Sequence, residues 1–426
     1  MGSRNSPSRV RNACDVVEEL RAWTVSGTPA EFPYTPLLTH LRSVGKHFLD
    51  PALLRLLDGI RGALPESEGP DGPSFLHRFL DVVLDKHDDR YDYASYTALS
   101  LLTRPAPADW RAALRSRDEV LLLLLADLLR FERRSETDTP DAPLGMPPSP
   151  ELVAKRARLA VRVMEPAALR TLPPGAAVDP AAVAAVPGRT PAGPLAAEIL
   201  RTAGPEEARV LAGSVQPVYV LHDEYLFLRT LQSFETTFTF MSSALATAVR
   251  RLDGDRPREA ADLVGAVADI LKESLPLFSL LATMRPEAFQ AFRVFTEGAS
   301  AIQSAGYKTF ESLCSTPSRA RLASSAYTSV PQVHAWVTEG QATVEDTWHG
   351  LISAHRLDAA DDAVLRAAAD RLESVHQRWK QTHYRLAVRM IGERSGTGYT
   401  QGVPYLAAVL DNRLFPARDR HGALVG

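Results

Sequence analysis

The feature that most constrains the fold of this chain is a regular stripe of apolar residues near its C-terminal end. In residues 361–391, apolar side chains recur at intervals of three and four positions, which places them on one face of an α-helix. The same interval, counted on from Trp379, falls on His383. The sequence therefore predicts a long helix that ends near Gly392 and directs the imidazole of His383 toward the protein core.

A histidine on an apolar helix face has two interpretations. It is either a neutral core imidazole that bonds a nearby backbone carbonyl, or a ligand to a metal or to haem iron. Neutral imidazole is the commonest protein ligand of this kind, and a buried position favours the neutral form. Spacing alone leaves both interpretations open.

Length and composition indicate a soluble protein with more than one domain. A chain of 426 residues exceeds the usual size of a single domain. The net charge of −3 indicates no basic surface for nucleic acid or membranes, and no apolar run is long enough to span a bilayer. The two cysteines fit a reducing compartment. We therefore expect a cytoplasmic protein whose partners include neither nucleic acid nor a membrane.

Helical periodicity runs through most of the chain, whereas the alternation typical of strands is scarce, so the sequence predicts an all-α protein. Residues 1–135 contain short amphipathic helices, which we interpret as a separate N-terminal domain, with a solvated turn at residues 85–93. Residues 136–206 are rich in proline and alanine and are predicted to connect two domains. Residues 207–426 contain longer helices, which predict a second helical bundle.

Three blocks of this second bundle resemble tryptophan 2,3-dioxygenases, in the same order along the chain. The first block is HDEYLFLRTLQSFE at 222–235, with Phe238 beyond it. The second runs from LLATM at 280–284 through Arg293 to ASAIQS at 299–304. The third comprises WKQTHYRLAVRMIG at 379–392 and GTG at 396–398. The resemblance covers residues 219–411 and implies the all-α, haem-binding bundle of that family.

The resemblance also implies the roles of individual residues. His383 would bind the iron of one haem b and leave the opposite face open for O2. Arg293 would hold the carboxylate of an aromatic amino-acid substrate, for which its planar fork of donors is suited. Four further residues would form the rest of the substrate pocket: Phe238, Ser300, Thr397 and Tyr399. Family members assemble as tetramers, so the resemblance also implies a homo-oligomer.

Two features depart from the pattern of the family. On the distal haem face, the family's histidine is replaced by Leu231, which precedes Gln232 and cannot form a hydrogen bond through its side chain. Ala301 and Tyr399 stand where the family usually has glycines, and both reshape the pocket. These differences favour a specialised relative that acts on a modified tryptophan or another aromatic amino acid.

The resulting hypothesis is a haem-dependent dioxygenase that inserts O2 into the indole ring of L-tryptophan or a derivative. Its product would be of the N-formylkynurenine type. Two alternatives remain open. One is a haem monooxygenase or peroxygenase that acts on an aromatic amino acid in secondary metabolism. The other is a non-catalytic haem or ligand-binding protein, in which Leu231 lines a face that only admits gases.

Overall fold

The structure is a computed structural model that describes residues 13–65, 74–104, 107, 109–134, 145–172, 192–392 and 402–416. Within these ranges the regular secondary structure is helical, and the only β feature is an isolated bridge between Gly145 and Leu221. The all-α prediction is therefore confirmed. No helix in the described ranges is long and apolar enough to cross a membrane.

The helices are named in the order in which they follow one another along the chain. The first nine are α1 (Ala13–Ser26), α2 (Tyr34–Val44), α3 (Pro51–Ala63), α4 (Phe75–Val83), α5 (Tyr93–Tyr96), α6 (Leu99–Leu102), α7 (Trp110–Arg134), α8 (Pro150–Thr171) and α9 (Ala192–Thr202). The next five are α10 (Pro205–Gly213), α11 (His222–Asp253), α12 (Pro257–Leu281), α13 (Pro286–Arg293) and α14 (Ala305–Cys314). The last six are α15 (Arg319–Leu322), α16 (Ser325–Thr328), α17 (Pro331–Thr338), α18 (Val344–Ser353), α19 (Ala359–Ile391) and α20 (Val403–Ala408).

The long helix predicted around the apolar stripe is α19, and its two ends have local causes. At the N-terminus, the side chain of Asp358 accepts a hydrogen bond from the backbone N–H of Asp361, and acidic residues in the first turn favour the positive end of the helix dipole. At the C-terminus, Gly392 adopts a φ of +58°, a conformation in which glycine avoids the strain of a Cβ atom. Both ends therefore match the prediction.

The core of the protein lies among α7, α8, α11, α12 and α19. Helix α12 packs against both α19 and α11, while α11 packs on its other side against α7. Most of the surface of α11 is buried, because other helices cover nearly all of its circumference. This arrangement fixes the relative positions of the side chains that α11, α12 and α19 direct toward one another.

The predicted domain boundaries at residues 135 and 206 do not match the packing, and the interpretation is corrected accordingly. One hydrophobic cluster combines α5, α7, α8 and α9 with the bundle helices up to Phe415. A second cluster contains residues from α1 to α4 and α6. Helices α8 and α9, from the segment predicted as a connector, contribute buried apolar faces to the first cluster. We propose that the N-terminal unit comprises α1–α4 and α6 and that the bundle begins before α7.

Polar contacts attach the N-terminal unit to the bundle. Arg42 donates hydrogen bonds to the backbone carbonyls of Ala212 (2.6 Å) and Val215 (3.2 Å). The turn at residues 85–93 is less solvated than predicted, because Asp85 is buried and accepts a hydrogen bond from Lys46 Nζ at 2.5 Å. Removal of one partner of a buried ion pair strongly destabilises the folded protein, because the other charge stays buried without a partner. Lys46 Nζ also donates a hydrogen bond to the carbonyl of Ser95 in α5 at 3.5 Å, which holds the N-terminal unit beside α5.

Candidate active site

A cavity of about 260 Å³ lies among α11, α12, α13 and α19, and α5, α20 and residues 296–308 complete its wall. The wall is largely apolar and aromatic, with a few polar side chains. Its aromatic members are Tyr93, Tyr96, Phe227, Phe234, Phe238, Phe278, Phe289, Tyr307, Trp379 and Tyr405. A concave apolar site with a few convergent polar groups is the usual form of a small-molecule site.

His383 on α19 contributes its imidazole to this wall. The ring lies nearly parallel to that of Phe278, with centroids 5.7 Å apart, and 5.5 Å from the Trp379 ring. Burial lowers the pKa of His383 to about 4, so the imidazole is neutral at pH 7 and able to bind a metal. Among the described residues, neither ring nitrogen has a hydrogen-bond partner. The first interpretation from the sequence required a backbone carbonyl as the hydrogen-bond partner of His383, and the described residues provide none.

His383 is the only histidine among the described residues that lines this cavity, and no cysteine there does. Within the described ranges, no three His, Cys, Asp or Glu side chains converge to hold a metal ion. A metal bound here would therefore take most of its ligands from an organic cofactor, and His383 would supply one nitrogen ligand.

Arg293 and Ser300 reach the same cavity from the region around the C-terminal end of α13. The guanidinium of Arg293 lies 5.8 Å from the centre of the Phe289 ring. Ser300 Oγ accepts a hydrogen bond from the backbone N–H of Ile302 at 3.5 Å, so this serine also caps the short 3-10 helix that follows. Arg293 and Ser300 are half-buried, and the neighbouring Ala301 is exposed, so this part of the wall is the more open one.

The distal-face prediction is corrected in one respect. Leu231 and Phe238 both line the cavity from one face of α11, but Gln232 does not. The Gln232 amide instead donates hydrogen bonds to the backbone carbonyls of Thr97 (2.9 Å) and Ser214 (2.8 Å). Adjacent residues differ by about 100° around a helix, which turns Gln232 away from the cavity. Its role is to join α11 to the preceding segments.

Two predicted pocket residues, Thr397 and Tyr399, lie outside the described residues. The structure therefore brings together five of the eight predicted site residues around one cavity: Leu231, Phe238, Arg293, Ser300 and His383.

The cavity also contains a buried acid that the sequence interpretation did not single out. Glu235 lines the wall and is only 4% exposed. Its Oε1 accepts a hydrogen bond from Tyr93 Oη at 2.9 Å, and the Ser304 hydroxyl is a second hydrogen-bond partner. Burial raises the pKa of Glu235 to about 7, although both hydroxyl contacts favour the ionised form. The sequence could have identified Glu235 from its position on the apolar helix face between Leu231 and Phe238.

The sequence interpretation also did not identify the tyrosines of α5 as site residues. One of them bonds a second glutamate of α11. Tyr96 lines the cavity, and its Oη donates a hydrogen bond of 3.4 Å to Glu224 Oε1. Glu224 does not line the cavity and accepts hydrogen bonds from the backbone N–H groups of Val218 (2.8 Å) and Tyr219 (3.0 Å). Glu224 is therefore an anchor for α5, whereas Glu235 faces the site itself.

Cationic side chains form another part of the wall. Burial lowers the pKa of Lys308 to about 8, and its Nζ lies 3.6 Å from Glu311. Arg321 forms an ion pair with Glu311 at 2.9 Å and donates a hydrogen bond to Tyr405 Oη at 3.3 Å. Lys380 Nζ donates to the carbonyl of Leu410 at 2.7 Å, which holds the residues after α20 against α19. The three cations outnumber Glu311, the acid that pairs with Lys308 and Arg321, so this part of the wall carries excess positive charge.

The cavity thus combines a neutral imidazole, a guanidinium and a buried carboxyl group within an aromatic wall. Such a set can ligate the metal of a planar apolar cofactor, hold an anionic group of a ligand and contact its aromatic ring. An apolar wall lowers the local dielectric constant, which strengthens electrostatic contacts at its buried end.

Comparisons with known proteins show which proteins this chain is similar to. No protein-family model matches the chain. The chain is 26% identical over 241 residues to the tryptophan 2,3-dioxygenase of Polaromonas naphthalenivorans (strain CJ2), which covers 48% of this chain and 85% of that protein. The tryptophan 2,3-dioxygenase of Bordetella parapertussis is 28% identical over 240 residues, 48% of this chain and 84% of that protein. The tryptophan 2,3-dioxygenase of Anaeromyxobacter sp. (strain K) is 27% identical over 225 residues, which cover 46% of this chain and 84% of that protein.

Proposed function

Because the chain belongs to the tryptophan 2,3-dioxygenase superfamily, we propose that it is a haem-dependent oxygenase of an aromatic amino acid. The substrate is L-tryptophan or a tryptophan derivative, and the product is of the N-formylkynurenine type. The observation that carries the proposal is that His383 and Arg293 line one cavity, where the first would bind the iron of the cofactor and the second would bind an anionic group. We also propose a cytoplasmic location, in keeping with the composition.

The residues around His383 fit a b-type haem. The imidazole is neutral, lacks a hydrogen-bond partner among the described residues and lies beside the flat faces of aromatic rings. Lys308 and Arg321 line the wall as well and provide positive charge for the carboxylates of a cofactor. When bound, haem supplies the iron that activates O2. His383 would hold it, and the aromatic wall would exclude water from it.

Arg293 would fix the amino-acid end of the substrate. Its guanidinium can form two parallel, charge-assisted hydrogen bonds with a carboxylate, which orients the ligand as well as binding it. Ser300 lies on the same part of the wall, next to where the substrate amine would be placed. Thr397 and Tyr399 remain proposed pocket residues, with the threonine assigned to the ammonium group.

Leu231 bears on the mechanism. An apolar side chain at this position neither removes a proton from the substrate nor bonds to its ring. Addition of both oxygen atoms across the indole C2–C3 bond needs no reductant and no initial proton removal by the protein. A positioned base typically contributes about 10²–10⁴-fold even where one is needed. We therefore assign Leu231 to the shape of the pocket.

The experiment is turnover by the haem-reconstituted, reduced protein under isotopically labelled O2. A series of tryptophan analogues is supplied, N-formylkynurenine-type absorbance is followed, and the products are analysed by mass spectrometry. Two labelled oxygen atoms in one product molecule support the proposal. One labelled atom would establish a monooxygenase instead. A normal haem spectrum without turnover of any indole or phenol would favour a ligand-binding protein, the alternative that the apolar Leu231 suggests.

A further inference from the structure

Glu235 is a buried acid in the cavity wall whose described partners are hydroxyl groups, not cations. Tyr93 donates to one of its oxygens, and Ser304 provides a second hydrogen bond. Other buried acids of the bundle are paired with arginine, such as Asp127 with Arg229, or accept backbone N–H bonds, as Glu224 does. A carboxylate has about four acceptor positions, of which two hydroxyls use only two. Glu235 therefore retains capacity to accept a hydrogen bond from a ligand in the cavity.

The position of Glu235 on α11 determines which part of a ligand it meets. It lies one helical turn beyond Leu231, and both residues line the cavity from the same face. Leu231 cannot accept a hydrogen bond, so Glu235 is the acceptor that this face of α11 offers. Phe234 and Phe238 flank it, which places the carboxyl group among aromatic rings.

The two ends of the cavity differ in solvent exposure. Arg293 and Ser300 are half-buried, whereas Glu235, Phe234 and Trp379 are buried. An amino acid whose carboxylate binds Arg293 has its ammonium group close to the same open end, because both groups are attached to one carbon atom. Its aromatic ring then extends toward the deeper end, where Glu235 lies.

We propose that Glu235, oriented by Tyr93 and Ser304, accepts a hydrogen bond from a donor on the aromatic ring of the substrate. The donor is an indole N–H or a phenol O–H, and the site thereby selects aromatic amino acids that carry one. This inference rests on the proposed function, since it takes an amino acid bound at Arg293 as its starting point. A ligand without the ring donor loses this contact and leaves a desolvated acid without a new partner, which weakens binding.

The test compares ligands that differ only in the ring donor. L-Tryptophan is paired with 3-(benzothiophen-3-yl)-L-alanine, in which sulfur replaces the N–H, and L-tyrosine is paired with L-phenylalanine. Affinities are measured by calorimetry on the haem-reconstituted protein, without turnover. We expect the wild type to prefer the donor-bearing member of at least one pair by about tenfold or more, the value of one charged hydrogen bond.

The variants separate a recognition role from a structural one. Glu235→Gln keeps the shape but provides a weaker, neutral acceptor, and Glu235→Met removes the acceptor. The preference should fall in the first and nearly disappear in the second. Glu224→Gln is the matched control, because Glu224 is also buried on α11 and bonded to a tyrosine of α5 but does not line the cavity. Its preference should equal that of the wild type.

Three results would overturn the inference. The first is a donor preference that persists in Glu235→Met. The second is binding of both members of each pair with equal affinity by the wild type, which would leave the proposed function intact. The third is a loss, in the Glu235 variants, of the preference for tryptophan over indole-3-propionate, which would assign Glu235 to the substrate ammonium. If no aromatic amino acid binds the wild type at all, the proposed function fails together with the inference.

Discussion

Tyr93 and Glu235 lie 142 positions apart in the sequence, yet their side chains form a 2.9 Å hydrogen bond in the wall of the cavity that also receives His383. The contact joins the short helix α5 to the middle of α11. A segment from the first quarter of the chain thereby completes the site. The tyrosine hydroxyl is buried. Loss of the acid would therefore remove the acceptor of a buried donor, which destabilises the folded protein.

Replacement of His383 should abolish haem binding. His383→Ala removes the only cavity-lining imidazole among the described residues, so we expect the Soret band of the reconstituted protein to disappear. His376→Ala is a matched control on the same helix, since His376 bonds Tyr307 Oη at 2.8 Å and does not line the cavity. A normal Soret band and normal ligand-binding spectra in the His383 variant would refute the assignment.

Replacement of Arg293 should weaken the binding of amino acids but spare haem. Truncation of one partner in a desolvated charge pair costs on the order of 2–5 kcal/mol, so Arg293→Ala should bind tryptophan well over tenfold more weakly. Arg371→Ala, which removes an exposed arginine from α19, should have no effect. Equal wild-type affinity for tryptophan and tryptamine, which lacks the carboxylate, would count against this role.

Introduction of a histidine at position 231 should not be required for activity. Leu231→His adds a hydrogen-bonding group to the cavity wall and should still bind haem, with a rate either higher or lower than that of the wild type. The measurement is product formation by both proteins under the same reducing conditions. An inert wild type beside an active Leu231→His variant would show that the leucine marks an active site that has lost its function.

Glu235 should make stability depend on pH in a definite direction. Burial raises its pKa in the folded state from 4.5 to about 7, so the folded protein binds more protons than the unfolded chain between these values. Its contribution is fully present below pH 4.5 and is lost as the pH rises through about 7. The loss is on the order of 3 kcal/mol at 1.36 kcal/mol per pKa unit.

Urea unfolding at pH 5 and pH 8 measures this contribution. Between the two values, the free energy of unfolding of Glu235→Gln should fall less than that of the wild type. An identical pH dependence in both proteins would mean that the carboxyl group titrates near its ordinary pKa.

Removal of the helices before α10 should prevent folding of the bundle. A chain that begins at Gly204 lacks α7, α8 and α9, whose apolar faces share one hydrophobic cluster with α11 and α12. We expect it to lose cooperative thermal unfolding and near-ultraviolet circular dichroism, both of which the full chain should show. A cooperatively folded fragment would instead support the two-domain division predicted at residue 206.

The sequence by itself determined the all-α class and indicated which residues to examine as a site. Periodicity is a local property, so α19 is found close to its predicted position and ends at Gly392, as the sequence indicates. The three blocks that resemble the family implied that His383 and Arg293 belong to one site, and both line the same cavity.

Only the tertiary structure decided which helices belong together and which polar groups meet. An apolar face shows that a helix is covered but not by which partner, so α7 to α9 were assigned to a separate domain and a connector when they in fact pack on the bundle. The same limit explains why Gln232 was placed at the site and Glu235 was not. Rotation about a helix axis relative to its neighbours, and contacts between distant segments such as α5 and α11, arise from packing that no local pattern records.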